Sequence, residues 1–150
     1  MNKVDVRAKL KELGLELPVA AYVPAIRTGN IVFTAGQLPL VNGEMAGVGK
    51  VDGEITPERA KELAQVCALN ALAAVETVAD VNKITKIVRV VGYVNGVPGF
   101  INAPVVVNGA SELFLAIWGD GAKHARSAVG IAELPLNSPV EIELTVEITD

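Results

Sequence analysis

Thr56-Pro57-Glu58-Arg59-Ala60 opens the stretch that decides the fold. It continues through Leu63, Ala64, Cys67, Ala68, Ala71, Leu72 and Val75, then gives way to Ile84, Ile87, Val88, Val90, Val91 and Val94. In the first part the apolar residues recur three and four apart, the period of one helix face. Thr56 can cap free backbone N–H groups, and proline suits the first helical position. The spacing predicts a helix running to about residue 79. Its stripe is dominated by small residues, so it can pack close to a sheet. The second part is β-branched and predicts a strand over 84–94, turned by residues 95–98.

Working outward, Val4, Val6, Leu10 and Leu13 lie among charges and Gly14 follows, which predicts a short amphipathic helix with a glycine C-cap. Residues 20–26 and 31–35 are apolar and β-rich around Arg27-Thr28-Gly29-Asn30, a hairpin signature. Residues 38–55 carry Pro39 and four glycines and read as a loop with room for a short edge strand. Val107, Ala110, Phe114 and Ile117 share a face, giving a second long helix over 105–118 that ends at Gly119 and Gly121. Strands follow over 126–132 and 139–148. The expected product is a single α+β domain over residues 1–150, a sheet with two long helices on one face. The other face is then left for subunits.

Apolar residues make up 51 % of the chain and charged ones 20 %, which excludes disorder. Thirteen Lys and Arg stand against 17 Asp and Glu, with no basic stripe, which argues against nucleic acid as a partner. One cysteine and one histidine leave no disulfide and no zinc site of ordinary composition. Cys67 sits in the helical stripe and reads as a core thiol. A serine triad would have to use His124, and no Gly-x-Ser-x-Gly elbow presents the serine; His124 reads as a loop residue, and Trp118 as packing near a helix end. There is no signal-peptide core and no membrane span, so a soluble, cytoplasmic protein is expected. Hydropathy is high for a chain with three Phe, one Trp and two Tyr, which suggests apolar surface covered by other subunits.

The last quarter carries the chemistry: Arg126-Ser127-Ala128-Val129, then Glu133-Leu134-Pro135, then Val140-Glu141-Ile142-Glu143. Charges in such apolar surroundings are rare unless paired or used. The plain structural reading of Arg126 and Glu141 is a salt bridge across adjacent strands. The functional reading is a cation that grips a carboxylate substrate beside an acid/base group. Glu141 and Glu143 are expected to face opposite sides of their strand, with Glu141 toward the pocket.

These residues, with Tyr22-Val23-Pro24-Ala25, Thr34-Ala35-Gly36-Gln37-Leu38-Pro39 and the Asn108-to-Phe114 segment, resemble the YjgF/RidA family of imine and enamine deaminases. The likeness runs from Tyr22 to the end of the chain. The Arg126 and Glu141 segments at their mutual spacing are its specific part. The resemblance implies a chorismate-mutase-like fold and a homotrimer with ligand clefts between subunits. It implies hydrolysis of 2-imino or 2-enamino acids to 2-keto acids and ammonia, without metal or organic cofactor. Carried over residue by residue, Arg126 would bind the substrate carboxylate and Glu141 would activate water. Tyr22, Ala35, Gly36, Asn108 and Ala128 would line the pocket. Tyr22 also fits a core aromatic, and Asn108 a helix N-cap.

The chain departs from the family pattern in an extra N-terminal helix, Ala35 for a serine, Ser111 for an aromatic, extra residues between Phe100 and Asn108, and His124 for a proline. Those departures keep open a non-catalytic trimeric module that binds small carboxylates. A ribonuclease reading is disfavoured by the charge balance.

Overall fold

The structure is a computed structural model that describes residues 3–17 and 24–150. In chain order the elements are α1 (Val6–Glu12), β1 (Ala25–Thr28), β2 (Ile31–Thr34), β3 (Leu40–Val41), β4 (Glu44–Met45), α2 (Pro57–Glu76), β5 (Ile84–Val94), α3 (Ala103–Trp118), β6 (Ala125–Gly130) and β7 (Val140–Ile148). Five strands form one mixed sheet in the order β1-β2-β7-β5-β6, in which only the β5–β6 pair is parallel. Both long helices lie on one face, and α1 adds a short third helix.

Local chemistry sets the boundaries. Asp5 accepts the Ala8 N–H at 3.0 Å to start α1. Gly14, at φ 72°, closes it: its own N–H donates to the Lys11 carbonyl at 3.0 Å and the next N–H to the Leu10 carbonyl at 2.8 Å. Thr56 Oγ1 accepts the Arg59 N–H at 3.1 Å at the head of α2. That helix stops at Glu76, short of residue 79, because Thr77 donates its hydroxyl to the Ala74 carbonyl at 2.7 Å and its N–H to the same oxygen, tightening the last turn. Helix α3 starts at Ala103 rather than 105, with Pro104 in its first turn. Asn108 therefore sits inside the helix and is not an N-cap. The expected loop over 38–55 contains the small β3–β4 hairpin. Of the first hairpin strand, residues 20–23 lie outside the described residues.

Strand β7 separates dry from open. Val140, Ile142, Leu144, Val146 and Ile148 are buried under the helices, while Glu141, Glu143, Thr145 and Glu147 point the other way. Glu141 and Glu143 thus share a face. The expectation of opposite faces fails because residues two apart on a strand always point to the same side. A second correction follows from the strand order: β5 lies between β6 and β7, so Arg126 and Glu141 are not on adjacent strands.

Missing side chains let the helices sit close. A Cβ on Gly92 in β5 would overlap Val107 of α3, and one on Gly109 in α3 would overlap the Lys61 carbonyl of α2. Cys67 is buried in the core, with Sγ 3.6 Å from the Val140 carbonyl oxygen, and burial pushes its thiol pKa well up. The open face carries exposed apolar side chains instead: Ile26 at 69 %, Phe33 at 48 % and Val129 at 44 % accessibility.

Gly109→Ala sets a helix-propensity gain of up to about 1 kcal/mol against a collision with α2 backbone. The collision wins because a helix carbonyl cannot rotate away. Urea unfolding is expected to show a net loss of about 1–3 kcal/mol.

Candidate functional site

Arg126 belongs to the edge strand β6, where its Cα partner is the buried Val90, so its row faces the helices. The half-buried guanidinium reaches α3. Nη1 donates to Asn108 Oδ1 at 2.8 Å and to Ser111 Oγ at 3.2 Å, and Nη2 approaches the Pro104 carbonyl at 3.4 Å. Asn108 and Ser111 are three apart and share one helix face. Among the described residues no carboxylate lies within ion-pair distance of Arg126. Its Nε–H and one Nη2 N–H have no partner there. An arginine edge with two free parallel N–H groups is what a carboxylate takes.

Ser111 continues the cluster. Its Oγ is 2.9 Å from His124 Nε2, and His124 Nδ1 is 2.7 Å from the Ala122 carbonyl oxygen. The ring also stands edge-on to Phe114, with centroids 6.1 Å apart. Two of the positions that depart from the family pattern, Ser111 and His124, thus touch each other and, through Ser111, Arg126. Sequence reasoning gave neither a role. The i, i+3 spacing from Asn108 was the available signal for Ser111; nothing local announced the contact with His124.

Glu141 lies on the open face, with Tyr93 as its Cα partner. Its carboxylate rests against Gly36, where a Cβ would collide with it. Partial burial, then the like charge of Glu143, raises the Glu141 pKa above 4.5. Glu143 accepts the Tyr93 hydroxyl at 3.0 Å. Burial and this bond together raise the Tyr93 pKa.

Arg126 and Glu141 therefore occupy opposite faces of the sheet. They are two strands and three residues apart, on the order of 14 Å between Cα atoms at standard sheet spacing. Gly36 accompanies Glu141. Ala128 shares the helix-facing side with Arg126 and packs on the core. Ala35 is exposed and donates its N–H to the Pro24 carbonyl at 2.7 Å. Tyr22 lies outside the described residues. Two open clefts elsewhere, about 430 Å³ beside Leu13 and Gly109 and about 390 Å³ beside Lys50 and Phe100, include neither charged group.

Residues 7–148 match the family model described as "YjgF/chorismate mutase-like, putative endoribonuclease". The chain belongs to this family. A protein of Agrobacterium tumefaciens of unknown function, Atu1372, superposes with a TM-score of 0.89 at 41 % identity, covering 96 % of this chain and 92 % of that one. A "putative endoribonuclease" from Shewanella oneidensis gives 0.88 at 31 % identity, covering 94 % and 97 %. Protein TCP17 of Trypanosoma cruzi is 32 % identical over 97 % of this chain and 95 % of its own length. More distantly, E. coli TdcF, solved with bound serine, shares the fold with a TM-score of 0.61 at 21 % identity, covering 88 % and 91 %. The mixed sheet with two long helices on one face is the chorismate-mutase-like fold of these proteins, and α1 lies almost wholly within the family match, which begins at residue 7. No helix among the described residues is long and apolar enough to cross a membrane.

A raised carboxyl pKa means the folded state favours protonated Glu141, so this contribution to stability is full below 4.5 and is lost as pH rises through the raised value. Glu141→Gln keeps the neutral form at every pH. It is expected to melt higher than the parent at pH 7, and the gap should close as pH falls toward 4.5. Thermal melts across that range check the sign.

Proposed function

We propose that this protein hydrolyses reactive 2-imino and 2-enamino acids to 2-keto acids and ammonia, with Arg126 holding the substrate carboxylate and Glu141 activating water. The observation that carries the reading is the unpaired, half-buried Arg126 guanidinium, anchored through Nη1 to Asn108 and Ser111 with its Nε/Nη2 edge unclaimed among the described residues. A 2-imino acid presents a planar carboxylate beside an electrophilic C=N carbon. Two N–H bonds from one guanidinium fix both. Water then adds to that carbon while Glu141 takes its proton. Glu141 returns that proton to the nitrogen of the adduct, the adduct's hydroxyl proton follows through the same carboxylate, the C–N bond breaks, and ammonia leaves as the C=O forms. A carboxyl whose pKa partial burial and Glu143 raise above its ordinary value is less reluctant to hold the proton it takes. Imines hydrolyse unaided, so positioning plus one acid/base group, worth about 10²–10⁴-fold, is enough. The reading uses no metal or organic cofactor.

Opposite faces within one protomer are reconciled with a shared substrate by assembly. Ile26, Phe33 and Val129 make the open face apolar enough to be covered by further copies. In the trimer inferred here, the site is a cleft between subunits, where the rim of one sheet meets the face of the next. The bound serine of TdcF, an amino acid with a free carboxylate group, agrees with small-carboxylate recognition on this fold. The separation of Arg126 from Glu141 also favours a second reading, a trimeric module that binds small carboxylates without turnover.

Coupling the protein to a threonine dehydratase and timing 2-ketobutyrate release tests the two readings. Acceleration over buffer that disappears in Arg126→Ala and Arg126→Lys, and falls about 10²-fold in Glu141→Gln, is expected. Keto-acid binding without acceleration selects the binding module. RNA cleavage that persists in repurified Arg126→Ala revives the ribonuclease reading. Gly36→Ala provides an independent check: its Cβ must push the Glu141 carboxylate aside, and the end of that flexible side chain can yield. Deaminase activity should drop while the melting temperature changes little.

A further inference from the structure

The cluster behind Arg126 has a direction. The Ala122 carbonyl can only accept, so His124 Nδ1, 2.7 Å away, carries a hydrogen. In the neutral ring Nε2 is then an acceptor, and the group 2.9 Å from it is the Ser111 hydroxyl, which must donate. With its hydrogen committed there, Ser111 Oγ turns a lone pair toward Arg126 and accepts the Nη1 N–H at 3.2 Å. The bonds run head to tail: Arg126 to Ser111, Ser111 to His124, His124 to the Ala122 carbonyl. The second Nη1 hydrogen goes to Asn108 Oδ1.

Without the imidazole, the Ser111 hydroxyl rotates freely and can aim its hydrogen at the guanidinium, repelling it. With the imidazole in place that rotamer is excluded. The ring is itself fixed by the Ala122 carbonyl on one side and the edge-on Phe114 contact. We propose that His124, acting through Ser111, is a positioning residue that fixes the Arg126 guanidinium by its Nη1 end and so reserves the Nε/Nη2 edge for an incoming carboxylate. This inference rests on the carboxylate-binding reading of Arg126. It adds that the orientation of the cation is set by a hydroxyl that His124 polarises.

His124 is the one histidine of the chain, so its ring signals are unambiguous in the full-length ¹⁵N-labelled protein. Long-range ¹H–¹⁵N spectra at neutral pH are expected to show the neutral tautomer protonated at Nδ1. Pyruvate titrations followed by calorimetry supply the second readout. His124→Ala and Ser111→Ala should each weaken binding about 5- to 10-fold, the worth of one ordinary hydrogen bond. The double variant should lose little more than either single one, since both interrupt the same chain. His124→Gln, whose amide oxygen can accept from Ser111 near the Nε2 position, should recover most of the affinity; a merely space-filling role predicts no such rescue.

A ring protonated at Nε2, parental affinity in both alanine variants, or fully additive losses would overturn the inference. Binding that vanishes in Arg126→Ala but persists unchanged in His124→Ala and Ser111→Ala removes this inference alone. Absence of pyruvate binding in the parent removes the carboxylate reading and this inference with it.

Discussion

The two-residue period of β7 is the constraint from which the remaining architecture follows. Five alternate side chains, from Val140 to Ile148, are buried beneath α2 and α3, and burial on that scale fixes the register of the central strand against slippage. A shift of one residue would drive four polar side chains, three of them glutamates, into the core. The open face of the sheet is therefore acidic along its middle strand, flanked by Ile31 and Phe33 on β2 and by Lys86, Arg89, Val91 and Tyr93 on β5, and Glu141 owes its position to the aliphatic residues before and after it in β7. The close approach of α3 to β5 at Gly92 brings the helix within reach of an arginine on the neighbouring edge strand.

Much of this was legible in the sequence because periodicity reports burial directly. Helix α2 announced itself through Thr56, Pro57 and a stripe of small residues, and β5 through its β-branched run. Helix α1 followed from Gly14 at the end of an amphipathic turn. The α+β class and the family followed from those elements and from the motifs around Arg126 and Glu141. What the sequence hid was spatial order. Strands adjacent along the chain need not be adjacent in the sheet, and the parallel β5–β6 pairing, made possible by the α3 crossover, inserts β5 between the two charged residues. The facing of Glu141 and Glu143 needed no structure at all, only the strand period applied correctly.

The site residues divide by the same logic. Arg126 and Ala128 sit on the covered side, and Glu141 with Gly36 on the open side, a partition invisible to motif matching, which records spacing along the chain but not facing. Ser111 and His124 first stood out as deviations from a pattern. Their meaning emerged only when the 3-10 turn after α3 brought the imidazole back over the helix. A hydrogen-bond chain through three elements has no local sequence signature, because each donor finds its acceptor through tertiary placement.

The position of β7 has a consequence for how the polypeptide reaches its native state. The strand at the middle of the sheet is the last of the five to be synthesised, and both the β1–β2 hairpin and β5 pair with it. While the ribosome is still making the preceding segments, the hairpin has no neighbour to join and the small-residue face of α2 has only part of its floor. The emerging chain must hold an unfinished, greasy interior until its final strand slides between two waiting edges. Completion is thus a late event of high contact order, and the nascent chain keeps apolar surface uncovered for longer than a fold assembled hairpin by hairpin would.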